Sequence, residues 1–224
     1  MKRSEINRHL RETLAFFDTM KVHLPKWARW SPNDWKGRGT EVAEIVESGL
    51  GWDITDFGSG TFDKVGLINF NPRNGHLTKG DKPYCEKIIV VHEEQVTPLH
   101  THVLKKEDII NRGGGNLVIE LCNGDLEGNL NDTPVTVRID AIPVTVPARG
   151  KVVLEPGQSI YLLPGVYHAF WGEAGKGPVL VGEVSTVNDD STDNIFIGSN
   201  PRFPTIEEDE APLHLLVNDY QRFL

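Results

Sequence analysis

Seven short runs constrain this chain most: KVGLINF, EKIIVV, NLVIELC, VTVRIDAIPVTV, KVVLEP, SIYLLP and VLVGEVS, spread between Lys64 and Ser185. Each is rich in β-branched residues and bounded by Gly, Pro, Asn or Asp, the punctuation of strands rather than helices. No strand–helix alternation separates them, so a doubly wound parallel sheet is disfavoured. Many short strands with frequent turns predict an all-β sandwich or barrel that begins near Trp52. The 22 glycines and 14 prolines point the same way, because a helical bundle tolerates few of either.

The first fifty residues read differently. Ser4 is placed to cap a helix, and Ile6, Leu10, Leu14 and Phe17 form one apolar face of it, ending before Pro25. Trp27, Trp30 and Trp35 follow among Pro and Gly, a segment expected to dock on the main body or on a second subunit. The division is thus an N-terminal helical arm at 1–50 and a barrel at 51–224, one structural domain overall, with a homodimer expected from the arm's apolar area. The run NGDLEGNLNDTP reads as a loop followed by a hairpin, and IEEDE as a solvated acidic surface.

Charge and cysteines exclude several partners. A net charge of −9 argues against nucleic acid, which selects a basic face. No apolar run reaches the roughly 18 residues that span a bilayer. The start MKRSEINRHL has no apolar segment after its basic residues, so no secretory signal is expected and the cytoplasm is. Cys85 and Cys122 lie in apolar runs and read as reduced, buried thiols.

The chemistry concentrates in QVTPLHTHVLKKEDIINRGGGN. In a strand, residues i and i+2 share a face, so His100 and His102 can converge on one ion. Glu107 follows a short irregular piece from which it can return to that point. A third histidine, His168, opens an aromatic strand after a Pro-Gly turn, at the mouth of a barrel. A His-X-His pair alone is more often surface decoration; Glu107, the glycine turn and His168 reverse those odds. Three imidazoles and a carboxylate suit a divalent first-row metal such as Mn, Fe, Co, Ni or Zn. His9, His23, His76, His92 and His214 lack such partners and read as structural or exposed.

This combination resembles the cupin family, whose fold is a double-stranded β-helix or jelly-roll barrel. Its first motif is matched by His100, His102, Glu107 and Gly114, its second by Gly157, Pro164 and His168. Glu94 stands where the first motif carries glycine, and Pro164-Gly165 replaces Pro-X-Gly. The runs EKIIVVHEEQVTPLHTHVLKKEDIINRGGGNLVIEL, LLPGVYHAFWGE and VGEVSTVNDDSTDNIF narrow the likeness to the D-lyxose isomerases, over nearly the whole chain. The resemblance implies a manganese ion on His100, His102, Glu107 and His168. It also implies interconversion of D-lyxose and D-xylulose, with D-mannose and D-fructose as a second pair.

Moving a hydrogen between C1 and C2 of an unphosphorylated sugar calls for a proton carrier or a hydride shift, and both mechanisms stay open. Glu183, a lone charge in VLVGEVS, is the candidate base; the competing reading is an outward-facing strand glutamate. Lys105, between the ligands, is the candidate proton donor or oxyanion stabiliser, against a solvent-facing lysine. Glu120, Arg112 and Asp193 are candidates for contacting sugar hydroxyls, as are Asp189 and Asp190, although the aspartates also suit turns. The run GSGTFD lacks the lysine of a phosphate-binding loop. Two other functions remain in view: a metal-dependent cupin dioxygenase or oxidase, and a non-catalytic sugar-binding cupin with an empty or apolar pocket.

Overall fold

The computed structural model describes residues 1–76, 82–198 and 201–224. Its strands run β1 (Gly51–Thr55), β2 (Leu67–Arg73), β3 (Tyr84–Val91), β4 (Thr97–His102) and β5 (Glu107–Gly114). Then come β6 (Leu117–Gly124), β7 (Leu130–Asn131), β8 (Val135–Ile139), β9 (Ile142–Val146) and β10 (Gly150–Leu154). The last four are β11 (Ser159–Leu162), β12 (Val166–Gly172), β13 (Val179–Thr186) and β14 (Asn194–Phe196). All pair antiparallel in two sheets. The larger has the order β1-β2-β3-β13-β5-β11-β8-β9, and the smaller β10-β6-β12-β4-β14 with β7 on β6. The expected strand runs are therefore strands, and the expected loop and hairpin after Asn123 are present.

Alternation sorts each strand into a core face and an outer face. Ile89 and Val91 of β3, Ile109 of β5, Leu117, Ile119 and Leu121 of β6, and Val179 and Val181 of β13 meet between the sheets in one apolar cluster. The polar side chains that continue those inward rows, Lys87, Glu107 and Glu183, are consequently buried too. The fold thus brings charge into the interior at one end of the barrel.

Helix α1 (Arg3–Thr19) lies on the outer face of the larger sheet. Ile6, Leu10 and Phe17 are fully buried against Trp52, Ile54, Ile68, Phe70 and Leu180, each contributing about 1.5–3 kcal/mol of apolar burial. The arm docks on its own chain, so its apolar face is not available to a partner subunit. Ser4 is not the cap. Lys2 precedes the helix and its N–H donates to Glu5 Oε2 at 2.9 Å, while Ser4 donates its N–H and hydroxyl to the Asp209 carboxylate at 2.9 and 2.7 Å.

The acidic run is solvated, Glu207 to Glu210 all being exposed, and it is also a clasp. Glu207 accepts from the Arg3 N–H at 2.8 Å through its carbonyl. The fully buried Arg3 guanidinium grips Glu208 with two bonds of 2.8 Å and Asp219 with bonds of 3.0 and 2.7 Å.

Two motif departures concern turns, and the backbone explains both. Glu94 has φ +55, the left-handed conformation that favours glycine, so the turn is kept at the strain of a side chain. Gly165 has φ +83 and supplies the same conformation before His168.

Leu10→Ala is expected to lower the unfolding free energy by about 2–5 kcal/mol in urea denaturation. A loss under about 1 kcal/mol would contradict a fully packed arm.

Candidate active site

His100 on β4 and His168 on β12 are direct cross-strand partners, and His102 sits two residues along on the same face. One ligand nitrogen from each imidazole lies within 4.8 Å of the others, all three side chains being buried. Two of the tautomers follow from hydrogen bonding. His100 Nδ1 is 2.8 Å from the Pro98 carbonyl and His168 Nδ1 is 3.2 Å from the Val166 carbonyl. A carbonyl only accepts, so each Nδ1 carries a proton and leaves Nε2 as the nitrogen that can offer a lone pair.

Glu107 stands beside two of the three imidazoles. Its Oε1 is 3.1 Å from both His102 Nε2 and His168 Nε2. His168 Nε2 nevertheless has no hydrogen-bond partner among the described residues. A neutral imidazole lone pair and a carboxylate oxygen are two acceptors that repel at this range. A cation between them removes the conflict, so the donor set fits a divalent metal ion. His102 Nδ1, likewise without a partner, points toward Asp193 Oδ2 at 3.8 Å. Burial, and then the neighbouring His168 and His102, holds His100 well below the ordinary histidine range. Burial, followed by Lys105, lowers His102. Both are thus neutral, as ligands must be.

Lys105 comes from the loop 103–106, which Asp193 fastens. Its carbonyl accepts from Val103 N at 2.9 Å, and its carboxylate from Leu104 N at 2.7 Å and Lys105 N at 3.1 Å. The buried Lys105 Nζ then lies 2.9 Å from Glu107 Oε2 and 2.8 Å from Glu183 Oε1. Burial would lower the Lys105 pKa; Glu107 and Glu183 outweigh it and raise it above the ordinary lysine value. Burial would raise Glu107, and Lys105 and His102 outweigh it, holding the carboxyl well below its usual range.

Glu183 faces inward in register with Val179 and Val181, not outward, and lies directly opposite Lys87 of β3. Lys87 Nζ is 3.7 Å from Glu183 Oε1, 3.5 Å from Asp190 Oδ1 and 2.9 Å from Asn188 Oδ1. Asp190 also binds Arg202 at 3.0 Å, and Arg202 binds Asp53. Carboxylates and cations thus alternate from Glu107 through Lys105, Glu183, Lys87, Asp190 and Arg202 to Asp53.

Two expected sugar contacts, Arg112 and Glu120, are not at this site, and a third, Asp193, is beside it in another role. Arg112 follows Ile109 and Asn111 on β5 with opposite parity and is exposed. Glu120 alternates with the inward Ile119 and Leu121, and pairs with Arg149 at 2.8 Å on the outer surface. Asp193 has both carboxylate oxygens on loop N–H groups and supports the ligands instead. Asp189 closes its own turn on Ser191 and Thr192, as its turn reading anticipated. Asp190 does line the cavity. Lys87 and Arg202 were not anticipated. Lys87 carries the signal that marked Glu183, a lone charge in the inward register of an apolar strand; Arg202 lies in a loop without any such pattern.

A two-sheet antiparallel barrel with three histidines and a glutamate inside one mouth defines a cupin. In fold it resembles the L-ribose isomerase of Acinetobacter sp. DL28, solved as a mutant with L-ribose, at TM-score 0.62 and 17% identity over 92% of this chain and 98% of that one. The Cellulomonas parahominis L-ribose isomerase without ligand gives TM-score 0.62 and 16% identity over the same shares. In sequence the chain is 48% identical over 229 residues to a D-lyxose/D-mannose isomerase of Serratia proteamaculans, covering 100% of both. It is also 48% identical over 227 residues to one from Escherichia coli O157:H7, again covering 100% of both. The family model described as D-lyxose isomerase matches residues 1–220. The chain belongs to the D-lyxose isomerase family and is a sugar isomerase.

The charge chain has a pH signature. Burial would raise the Asp190 carboxyl, but Arg202 and then Lys87 hold it well below its ordinary range. The folded value being the lower one, its stabilisation is complete above the ordinary carboxylate range and is lost as pH falls toward the folded value. Asp190→Asn should therefore be less stable than the parent at about pH 7, with the gap narrowing in urea melts toward about pH 3. A gap that widens in acid contradicts the sign.

Proposed function

We propose that the chain interconverts D-lyxose and D-xylulose, with D-mannose and D-fructose as a second pair, in a manganese-dependent reaction. The observation that carries this reading is the adjacency of Glu183, Lys105 and Glu107 to three imidazole nitrogens inside one closed mouth. The named relatives support the choice of sugars. A divalent cation held by His100, His102, His168 and Glu107 would supply a Lewis acid for the two neighbouring oxygens of the sugar.

The chain's own groups divide the remaining work. The Glu183 carboxylate takes the proton from C2 of the aldose as the C1–C2 bond gains double-bond character, and returns it to C1 while the O2 hydroxyl proton passes to O1, giving the ketose. The Lys105 ammonium, already bonded to Glu183 and Glu107, orients both carboxylates and donates toward charge that develops on the sugar oxygens. Asp193 keeps the loop that carries Lys105 in place.

A binding-only cupin accounts poorly for this interior, since an apolar pocket needs no buried chain of ion pairs. An oxygenase reading finds no support in the relatives. A homodimer remains part of the proposal, through surfaces other than the helical arm, whose apolar face is already covered. Residence in the cytoplasm is proposed from the two free, buried cysteines. Among the described residues no helix is long and apolar enough to cross a membrane.

NMR of D-lyxose with the manganese-loaded protein should show D-xylulose. Glu183→Gln is expected to reduce turnover by roughly 10²–10⁴-fold, the range of a lost acid–base group, with metal content and far-ultraviolet dichroism unchanged. Normal turnover by the variant would sink the assignment of the base.

A further inference from the structure

The cavity bounded by the ligand set, Lys87 and Glu183 has a volume of about 30 Å³. That is room for about one or two waters, and too little for a sugar of five or six carbons. Some wall must yield when substrate enters. The floor cannot: Ile89, Ile109 and Phe170 belong to the central apolar cluster between the sheets. Asp190 and Arg202 are tied to each other, and beyond to Lys87 and Asp53, by ion pairs.

Of the other lining residues, Leu67, Thr97, Asn194 and Phe196 belong to β2, β4 and β14, and Phe57 belongs to no strand. Phe57 and Phe196 have centroids 5.4 Å apart, and Phe196 stacks on the His100 imidazole at 5.2 Å and 27°. Phe57 is 3% exposed, yet neither ring belongs to any of the apolar clusters that hold the fold together. They pack on each other and on the centre. Phe196 ends β14, opposite His100 of β4, whereas Phe57 lies outside the strands.

The backbone beneath Phe57 is built for that placement. Phe57 has φ +50, in the left-handed region that a bulky side chain rarely adopts. The Thr55 hydroxyl accepts from the Phe57 N–H at 2.9 Å, and the Asp56 carboxylate accepts from the N–H groups of Gly58 and Gly60, both at 3.1 Å. Gly58 and Gly60 take the left-handed turns that wrap the chain around Asp56, with φ +72 and +68. The glycine-rich run that lacks a phosphate-binding lysine thus serves to hold one ring at the mouth.

We infer that Phe57 is a specificity-determining residue of the isomerase: with Phe196 it forms the displaceable wall that meets the end of the sugar remote from C1 and C2, and it limits the length of sugar turned over. The inference rests on the isomerase reading above. The reacting carbons must face Glu183 and the ligand set, so the rest of the sugar extends toward Phe57, a wall residue outside the strands and the ion pairs. D-Mannose is longer than D-lyxose by one hydroxymethyl group, and the ring is where that group is accommodated or refused.

The test is kcat/KM for D-lyxose and D-mannose in the manganese-loaded parent, Phe57→Ala and Phe57→Leu, with metal content measured in each. Phe57→Ala should raise the mannose-to-lyxose ratio about tenfold or more, the scale on which a pocket discriminates one carbon, and Phe57→Leu should shift it the same way by less. If the alanine variant does not fold, the leucine variant alone carries the comparison. An unchanged ratio, including an equal fall on both sugars, overturns the inference and leaves the isomerase reading standing. A parent inactive on both sugars overturns that reading and the inference with it.

Discussion

Everything at the mouth of this barrel depends on one buried ammonium. Lys105 Nζ sits within 2.9 Å of Glu107 and 2.8 Å of Glu183, and none of the three groups could be buried alone, since an unpaired charge in the interior costs several kcal/mol. The pairing is mutual. The carboxylates keep the lysine charged, and the lysine keeps Glu107 ionised beside the three imidazoles. Removing it would leave two buried carboxylates facing each other. The cluster therefore exists as a unit or not at all, and the Asp193 fastening of its loop is part of that unit.

The charge balance of the chain carries a further consequence. From Glu107 to Asp53 the carboxylates outnumber the cations by one, and the Glu107 end lies against the imidazoles. An interior with surplus negative charge and unpartnered nitrogen lone pairs is poised to take a cation. The two sheets divide the chemistry. The smaller supplies the histidines through β4 and β12, the larger supplies Glu107, Glu183 and Lys87, and closure of the barrel brings the two sets together.

Much of this was legible in the residues because strand alternation is a local rule. His100 and His102 share a face by that rule, and Glu183 stands out as a charge in an apolar register. The same rule, applied to Ile119-Glu120-Leu121 and to Ile109 through Arg112, places Glu120 and Arg112 outside. Applied to Lys87 it places that side chain inside. Those errors were of application rather than of information. Arg202 and the helix-clasping acidic run are different. Their positions follow from contacts across most of the chain's length, such as Arg3 with Asp219, and no short-range pattern encodes them. Ser4 illustrates competition: its hydroxyl was free to cap its own helix, and the Asp209 carboxylate won it.

The central claim is that this charge balance is completed by one divalent ion and that isomerisation requires it. The direct measurement is calorimetric titration of metal-stripped protein with Mn²⁺, read in parallel with turnover of D-lyxose. The account predicts saturation at one ion per chain, with activity rising in proportion to occupancy and lost again on chelation. Full activity in the stripped protein, or tight binding of an ion that leaves turnover unchanged, would contradict it.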